Sequence, residues 1–562
     1  MPKSQPKDID LLIEKHALAN AFPHGGKAQP GAVIGKILAE QPELRLHLKQ
    51  IAPQVQKIVQ KVNKLSLQEQ EKKLHEIYPE FFAPKEKPKE KVLPELPNAV
   101  KGKVVMRFAP SPSGPLHIGH ALVMGLNSEY CKLYDGKFLI RIEDTNPDNI
   151  DVKAYDLIPE DANWATRDNV AAVYVQSDRM KIYYKWAEEV LKKGHAYVCV
   201  CDSEKWKELM IKGQACPDRN LEVKEQLKRW KGMLSGDIPE GGAVVRIKTN
   251  LQDKNPALRD WPALRINEST HPRQKKKYRV WPLMNFAVAI DDYELGVTHS
   301  VRGKDHADNE KRQNILQKHM GWPLPTGIHV GRINFKGFEL STTKTREKIE
   351  EHKYSGWDDV RLPFLRALKR RGYTPESLMR FAIEIGPSLN DKTVSVEDFF
   401  KNLDAYNREV IDPIADRYWF VPNPVKTEVK NMPSIKEIEA KIRPNVEKTR
   451  KIKVGKTIFV PRDDFLKLRG KEVRLMHLFN VKLDNTSQFT SEENKDIPRI
   501  QWVSDGNIET EILMPNGKKV EGLAEANASK LKVGDIIQFE RFGFCRLDKK
   551  EKSKLVFAFG HQ

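Results

Sequence analysis

From Lys103 to Thr145 the chain reads as strand, loop, helix and strand, and that order constrains the fold more than any other stretch. KVVMRFAP is a short apolar strand and SPSGPLHIG a Gly/Pro-rich loop. HALVMGLNSEYCKLYDG follows as an amphipathic helix, with Leu122, Val123, Leu126, Tyr130 and Leu133 along one side. Asp135-Gly136 stops the helix, and KFLIRIEDT returns as a second strand. Strands joined through a crossing helix pair in parallel, with a right-handed connection. A doubly wound α/β sheet is therefore expected. Such sheets bind ligands on the loops that leave the carboxyl ends of their strands.

The flanks have other textures. Residues 1–97 read as an N-terminal helical domain and linker. Leu11, Leu12, Leu18 and Phe22 keep helical spacing, as do Leu48, Ile51, Val55, Ile58, Val59 and Val62. Between them HGGKAQPGAVIG, with Lys27, is read as a connector in preference to a phosphate contact. PKEKPKEKVLPELP (84–97) mixes prolines with charges and has little to bury, as a linker does. Residues 98–345 read as a Rossmann-type domain. HAYVCVC is a further strand, and a less regular stretch at about 203–280 is taken as an insertion. RVWPLMNFAVAIDD and GVTHSVRGKDH then resume the apolar alternation. Residues 346–412 return to helical spacing as a junction. Residues 413–562 break into short β-rich segments, which suggests a barrel region, and Asp505-Gly506 and Asn516-Gly517 are read as hairpin turns. The expected class is multidomain, α/β plus β.

Charge and cysteine content narrow the class of function. Lys and Arg number 96 against 77 Asp and Glu, a net charge of +19, which suits a polyanionic partner such as nucleic acid. Five cysteines in 562 residues make no disulfide framework and point to a reducing compartment. The N-terminus lacks the apolar core of a signal peptide, and no apolar run is long enough to cross a bilayer. A cytoplasmic protein without a membrane partner is expected.

Four motifs carry chemistry. In RFAPSPSGPLHIGH, His117 and His120 sit three apart in the first turn of the helix, where backbone N–H groups favour phosphate. Two neighbouring ring N–H donors can stabilise charge building on an α-phosphate under in-line attack. Metal ligation, or a Pro/Gly turn that happens to hold two histidines, stays open on spacing alone. In RIEDTN, at the end of the next strand, Glu143 can accept from a substrate ammonium. In GVTHSVRGKDH, Arg302 follows an apolar strand, and its fork matches a carboxylate while a neutral carboxamide leaves it unpaired. In FELSTTKTREKI, Lys344 lies on a polar loop suited to reach nucleotide phosphates.

RFAPSPSGPLHIGH resembles the first signature of class I aminoacyl-tRNA synthetases, in the form of the glutamyl branch, to which Ala109, Ser111 and Ser113 correspond. That resemblance implies glutamate held by Arg107, Ala109, Ser111, Glu143 and Arg302, with Glu143 on the α-amino group and Arg302 on the γ-carboxylate. It implies ATP, with Mg²⁺, against His117, Gly119, His120 and Lys344. The catalytic set would be His117, His120 and Lys344, the last within a degenerate form of the second signature in which Ser341 and Thr343 replace the usual Lys and Ser. Met284 stands where many relatives carry a pocket-lining Tyr. The insertion would contact the acceptor stem, the helical junction the tRNA stem, and the barrels the anticodon. A β-rich C-terminal region resembles the archaeal and eukaryotic type. A monomeric ligase for glutamate and tRNA(Glu) is implied, with tRNA(Gln) as a second acceptor left open. The alternative is a glutaminyl enzyme, against which Arg302 argues.

The cysteines are a separate matter. Cys199, Cys201 and Cys216 could bind structural zinc with a fourth ligand such as His195, but the irregular spacing favours ordinary packed thiols. In the barrel region Trp502, Phe542 and Phe544 are read as core in preference to base-stacking platforms.

Overall fold

In the computed structural model, which describes residues 6–82 and 91–562, the chain forms two units, Met1–Glu90 and Lys91–Gln562. The first unit contains helices α1 (Pro6–Ala21), α2 (Pro30–Glu40), α3 (Leu48–Val62) and α4 (Leu67–Ile77). Its core joins Ile13, Ala17 and Leu18 to Val33, Ile37, Val55, Val59, Val62 and Leu74. Each fully buried Val, Ile or Leu of this kind contributes roughly 1.5–3 kcal/mol. Leu11, counted in the helical spacing, instead faces solvent. The Gly-rich turn is a connector: Lys27 Nζ donates to the Asn63 carbonyl at 3.2 Å, and the Asn63 side chain bonds both backbone groups of Ala28. Of the 84–97 linker, residues 84–90 lie outside the described residues, and 91–96 carry no regular structure.

The second unit opens with β1 (Val105–Phe108), α5 (Ile118–Leu133), β2 (Lys137–Ile142), α6 (Ala154–Thr166) and β3 (Val170–Val175), and the three strands pair in parallel in chain order. Then come α7 (Met180–Lys192), β4 (Ala196–Cys199), α8 (Ser203–Ile211), α9 (Val223–Ser235), β5 (Val244–Ile247), β6 (Pro262–Ile266), β7 (Val280–Pro282) and α10 (Met284–Glu294). The strands β4 to β7 form a separate antiparallel sheet, and its core holds Trp230, Trp261 and Trp281 against Tyr183 and Val190 of α7. The strand expected at HAYVCVC thus exists but opens this sheet. The inserted module begins near 180, ahead of the expected 203. A four-residue apolar run has no periodicity that distinguishes the two kinds of sheet. NFAVAIDD is likewise helix and not strand.

The chain returns to the parallel layer with β8 (His299–Gly303), α11 (Ala307–Met320) and β9 (Thr326–Val330), the two strands again parallel. Thr298 N donates to the Val105 carbonyl at 2.9 Å, which sets β8 beside β1. The resulting order β3-β2-β1-β8-β9 reverses direction between β1 and β8, the place where such sheets open a crevice.

Next are β10 (Ile333–Lys336), α12 (Thr342–Glu350), α13 (Leu365–Arg370), α14 (Pro375–Ile385), β11 (Lys392–Ser395) and α15 (Val396–Ile411). Helix α14 packs closely on α5 because Gly125 presents no side chain; a Cβ there would lie 3.0 Å from Met379 and 3.1 Å from Ala382. Beyond residue 415 two seven-stranded sheets follow. The edge strands of one, Asp416–Tyr418 and Phe420–Pro422, are consecutive in sequence, and so are those of the other, Arg499–Ile500 and Val503–Ser504. Edges that meet along one stretch of chain mean that each sheet curls round on itself, as a barrel does. Asn516-Gly517 makes the expected hairpin between Ile508–Leu513 and Lys519–Ala524. Asp505-Gly506 does not, because the strands on either side belong to different barrels. Trp502 and Phe544 are buried and Phe542 half-buried. Among the described residues no helix is long and apolar enough to cross a membrane.

Candidate active site

A cavity of about 290 Å³ lies at the carboxyl ends of β1, β2 and β8, with Arg107, Ala109, Ser111, Glu143 and Arg302 on its wall beside Gly119 and His120. A second cleft of similar size shares Gly119 and Gly303 with it, and runs past Leu122 and Leu126 of α5 to Val330, Ile333 and Ile385. The first is rich in charge and the second mostly apolar. His117 and Lys344 are on neither wall.

The two histidines are fixed by the start of α5. His117 is its N-cap: the ring Nδ1 accepts from Gly119 N at 3.1 Å and from His120 N at 3.4 Å, while His120 Nδ1 accepts from His117 N at 3.4 Å. Because each Nδ1 is an acceptor, each ring carries its proton on Nε2. The rings stack with centroids 3.6 Å apart. Burial, and then the neighbouring His120, hold His117 well below its usual range; burial takes His120 down to about 4. At neutral pH the site therefore presents two uncharged Nε2–H donors. Gly119 is required by closeness, since a Cβ there would lie 3.0 Å from the His117 ring. The loop is pinned by Leu116 N to Asp161 at 3.0 Å and by Ile118 N to the Pro363 carbonyl at 3.0 Å.

The floor of the cavity is a buried ion network. Arg107 grips Asp292 with Nε and Nη2, both at 3.2 Å, and Arg141 reaches Asp292 at 2.5 Å and Glu143 at 3.0 Å. Burial would raise the Asp292 carboxyl, but the guanidiniums of Arg107 and Arg141 outweigh it and hold the group well below the usual carboxylate range. Burial pushes Glu143 up against the pull of Arg141 and Arg107. Asp291 joins the network through Arg141 at 3.8 Å and is bonded more closely by Arg179 at 2.7 Å, Tyr183 at 2.7 Å and Gln176 at 3.0 Å.

Arg302 differs. It is 9% exposed, and its side-chain hydrogen bond goes to a neutral amide, Gln313 Oε1 at 3.0 Å. Its Nε is buried without a partner, and among the described residues no carboxylate lies within 4.0 Å of it. Burial, followed by the proximity of Arg107, brings its pKa down to about 10, so it stays charged at neutral pH.

The second motif sits across the first loop. Ser341 caps α12 through a bond from Lys344 N, Thr342 Oγ1 lies 3.0 Å from Ser113 Oγ, and Arg346 donates to the Ser113 carbonyl. Lys344 itself is 67% exposed and lies 3.6 Å from Glu339. Sequence reasoning had left out Asp292, Arg141 and Gln313. The signal available for the first was an Asp-Asp pair closing the apolar run NFAVAIDD. Met284 lines the cavity.

Away from the cleft, Cys199, Cys201 and Cys216 do come together. Sγ of Cys216 is 3.6 Å from that of Cys199 and 3.1 Å from that of Cys201. The fourth group is Asp218, not His195, whose ring stacks on His319 at 4.5 Å. All four ligand atoms fall within 4.8 Å of one another. Burial raises the Cys216 and Cys201 thiols.

Residues 103–413 match the family model described as tRNA synthetases class I (E and Q), catalytic domain. Residues 415–501 and 484–548 match two models described as anti-codon binding domains of the same class. The chain is 48% identical over 581 aligned positions to a glutamate–tRNA ligase of Pyrococcus furiosus, with 99% of this chain and 100% of that one covered. At the same coverage, it is 48% identical to the glutamate–tRNA ligase of Pyrococcus abyssi and 42% identical to that of Methanothermobacter marburgensis.

Proposed function

The chain belongs to the class I tRNA synthetases specific for glutamate and glutamine, and on that premise we propose how its cleft serves an ATP-dependent glutamate–tRNA ligase. The charged cavity takes glutamate. On and beneath its wall four guanidiniums, Arg107, Arg141, Arg179 and Arg302, face three carboxylates, Asp291, Asp292 and Glu143, which leaves one positive charge over. Glutamate, with two carboxylates and one ammonium, brings one negative charge, whereas glutamine is a neutral zwitterion. The observation that carries the reading is the buried Arg302 guanidinium with no anion beside it. A γ-carboxylate would complete it with a forked, charge-assisted contact. Glu143, held by Arg141, is placed to receive the ammonium. Arg107, already gripped by Asp292, acts on the ligand through its remaining donors and its charge.

The apolar cleft takes the nucleoside of ATP, which puts the α-phosphate near Gly119 and the two histidines. The glutamate α-carboxylate attacks that phosphorus, and pyrophosphate leaves. The terminal adenosine hydroxyl of the tRNA then attacks the activated carbonyl, and AMP leaves. The Nε2–H groups of His117 and His120 donate to phosphate oxygens as charge grows there, at fixed positions set by the N-cap of α5. Lys344 adds a positive charge once α12 swings toward the phosphates, and Mg²⁺ arrives with the nucleotide. No side chain is needed as nucleophile; placement supplies much of the rate. The barrels take the anticodon end of tRNA(Glu).

ATP–pyrophosphate exchange, with unfractionated tRNA present, tests this with glutamate and then glutamine. Exchange driven by glutamate is the expected result; exchange driven by glutamine, or none, overturns it. Charging purified tRNA(Glu) and tRNA(Gln) separates a strict enzyme from one serving both.

A structural zinc at Cys199, Cys201, Cys216 and Asp218 is the proposal for the second cluster. Sulfur–sulfur distances of 3.1 and 3.6 Å approach the ~3.8 Å that tetrahedral Zn–S bonds of about 2.3 Å would set. Bound metal would hold as thiolates groups that burial now keeps protonated. Metal content by atomic emission should be near one zinc per chain and fall in a Cys216→Ser variant; zinc-free protein would remove the proposal.

A further inference from the structure

We infer that Gln313 sets the selectivity of this pocket: its amide holds Arg302 in place while leaving the guanidinium charge for the ligand. The inference rests on the reading of the cavity as a glutamate site.

Gln313 lies on α11, is 3% exposed, and lines the cavity. Its Oε1 accepts from Arg302 Nη1 at 3.0 Å, and its Nε2 donates to Asn285 Oδ1 at 3.0 Å. Asn285 Nδ2 donates in turn to Asn309 Oδ1 at 3.2 Å, where Arg312 Nη1 also donates at 3.1 Å. Asn309 Nδ2 lies 3.2 Å from His306 Nδ1. This row of amides fixes the orientation of Gln313. Turned over, it would set an NH₂ against the guanidinium donors and a carbonyl against the carbonyl oxygen of Asn285.

The neutrality of that partner is the informative part. Arg107, the other guanidinium on the cavity wall, and the fully buried Arg141 that shares Asp292 with it are held by carboxylates. A carboxylate at 313 would anchor Arg302 more strongly than an amide does. It would also cancel the charge before any ligand arrived, and an incoming γ-carboxylate would then meet a like charge. An amide anchors without cancelling. Gln313 is therefore a positioning residue acting through Arg302.

Two variants test this by exchange with glutamate, with glutamine as the competing amino acid and unfractionated tRNA present. Gln313→Glu keeps the size and supplies the carboxylate. Its kcat/KM for glutamate should fall by at least about 30-fold, chiefly through KM, and the preference for glutamate over glutamine should shrink by at least about tenfold. Gln313→Met removes the acceptor but leaves the charge. It should raise KM for glutamate about three- to tenfold and hold the preference within about threefold of the parent. An unmoved preference in Gln313→Glu, whether or not overall activity drops, overturns the inference. Should thermal unfolding show that Gln313→Glu does not fold, Gln313→Met decides alone: an unchanged KM for glutamate overturns it and a raised one supports it. Absence of glutamate-dependent exchange in the parent enzyme sinks the pocket reading itself, which keeps the two failures distinct.

Discussion

A buried guanidinium without an adjacent anion is costly, because one hydrogen bond to a neutral amide repays only part of its lost hydration. At Arg302 that cost is tolerable only if a ligand completes the pair. Arg302→Ala should therefore lower kcat/KM for glutamate by at least ~3 kcal/mol, more than a hundredfold, with folding intact. Exchange kinetics near those of the parent would refute the pocket role. The histidines permit a second test at the same scale. Burial depresses the folded-state pKa of His120 from 6.5 to about 4, so the unfolded chain binds its proton more tightly. The stability it contributes is complete above pH 6.5 and is lost as pH falls toward 4. The unfolding free energy from urea titrations should drop across that window by up to about 3 kcal/mol, less where solvent reaches the half-buried ring. His120→Asn, which has no such proton to gain, should flatten the slope, and an equally steep profile would count against the buried, neutral ring. Much of this site was legible from sequence: Arg107, Ala109, Ser111, Glu143, Arg302 and His120 do converge on one cavity. What could not be read was who neutralises whom. The Asp292 grip on Arg107 spans 185 positions, and no local pattern encodes it.

At the scale of elements, α12 poses the sharpest question. Lys344 lies 3.6 Å from Glu339 and on the wall of neither cleft, although the start of the helix rests on Ser113 of the first loop. A cation parked on an exposed carboxylate is weakly held, worth less than about 1 kcal/mol, so it is free to be drawn to phosphates. Lys344→Ala should lower the maximal rate of adenylate formation far more than it weakens ATP binding, because the contact forms as charge develops. Unchanged rate with poorer ATP affinity would make Lys344 a simple binding residue. Elements declare themselves in sequence when they are long and periodic. Helix α5 stood out for that reason, and the short strands β1 and β2 were legible through their place on either side of it. Strand β4 formed where expected yet joined the wrong sheet for the reading, since pairing partners of four-residue strands are chosen by packing against Trp230 and its neighbours. Asp505-Gly506 has the chemistry of a hairpin turn and a positive φ of 85° at Gly506, but which strands a turn connects is a property of the whole region.

Across the second unit as a whole, one short helix links the C-terminal barrel to the loop that carries His117 and His120. The start of α13 is paired to the histidine loop: Leu365 N donates to the Leu116 carbonyl at 2.9 Å, one residue from His117. Arg366 on the same helix reaches Asp161 at 3.1 Å, and Asp161 receives Leu116 N. The end of the helix is tied to the barrel. Arg370 makes a forked contact with Asp548, closest at 2.7 Å, and Arg371 donates to the carbonyls of Phe559 and Gly560 at 3.2 and 2.9 Å. A displacement of the barrel of even a fraction of an ångström has few soft joints to absorb it before it reaches the two stacked histidine rings. Spatial continuity alone does not establish coupling, so the joint must be perturbed. Asp548 lies far along the chain from the cleft and touches none of its walls, which makes it the residue to change. Asp548→Ala should take from Arg370 its closest partner and leave it only the weaker contact with Asp358, at a cost of about 1–3 kcal/mol, readable as a lowered unfolding temperature. If the helix transmits position, the charging rate at saturating tRNA should fall several-fold while KM for glutamate stays within about twofold, since the pocket proposed for the amino acid is built on β1, β2 and β8. A variant with the expected loss of stability but an undiminished charging rate would show that α13 only fastens the barrel in place.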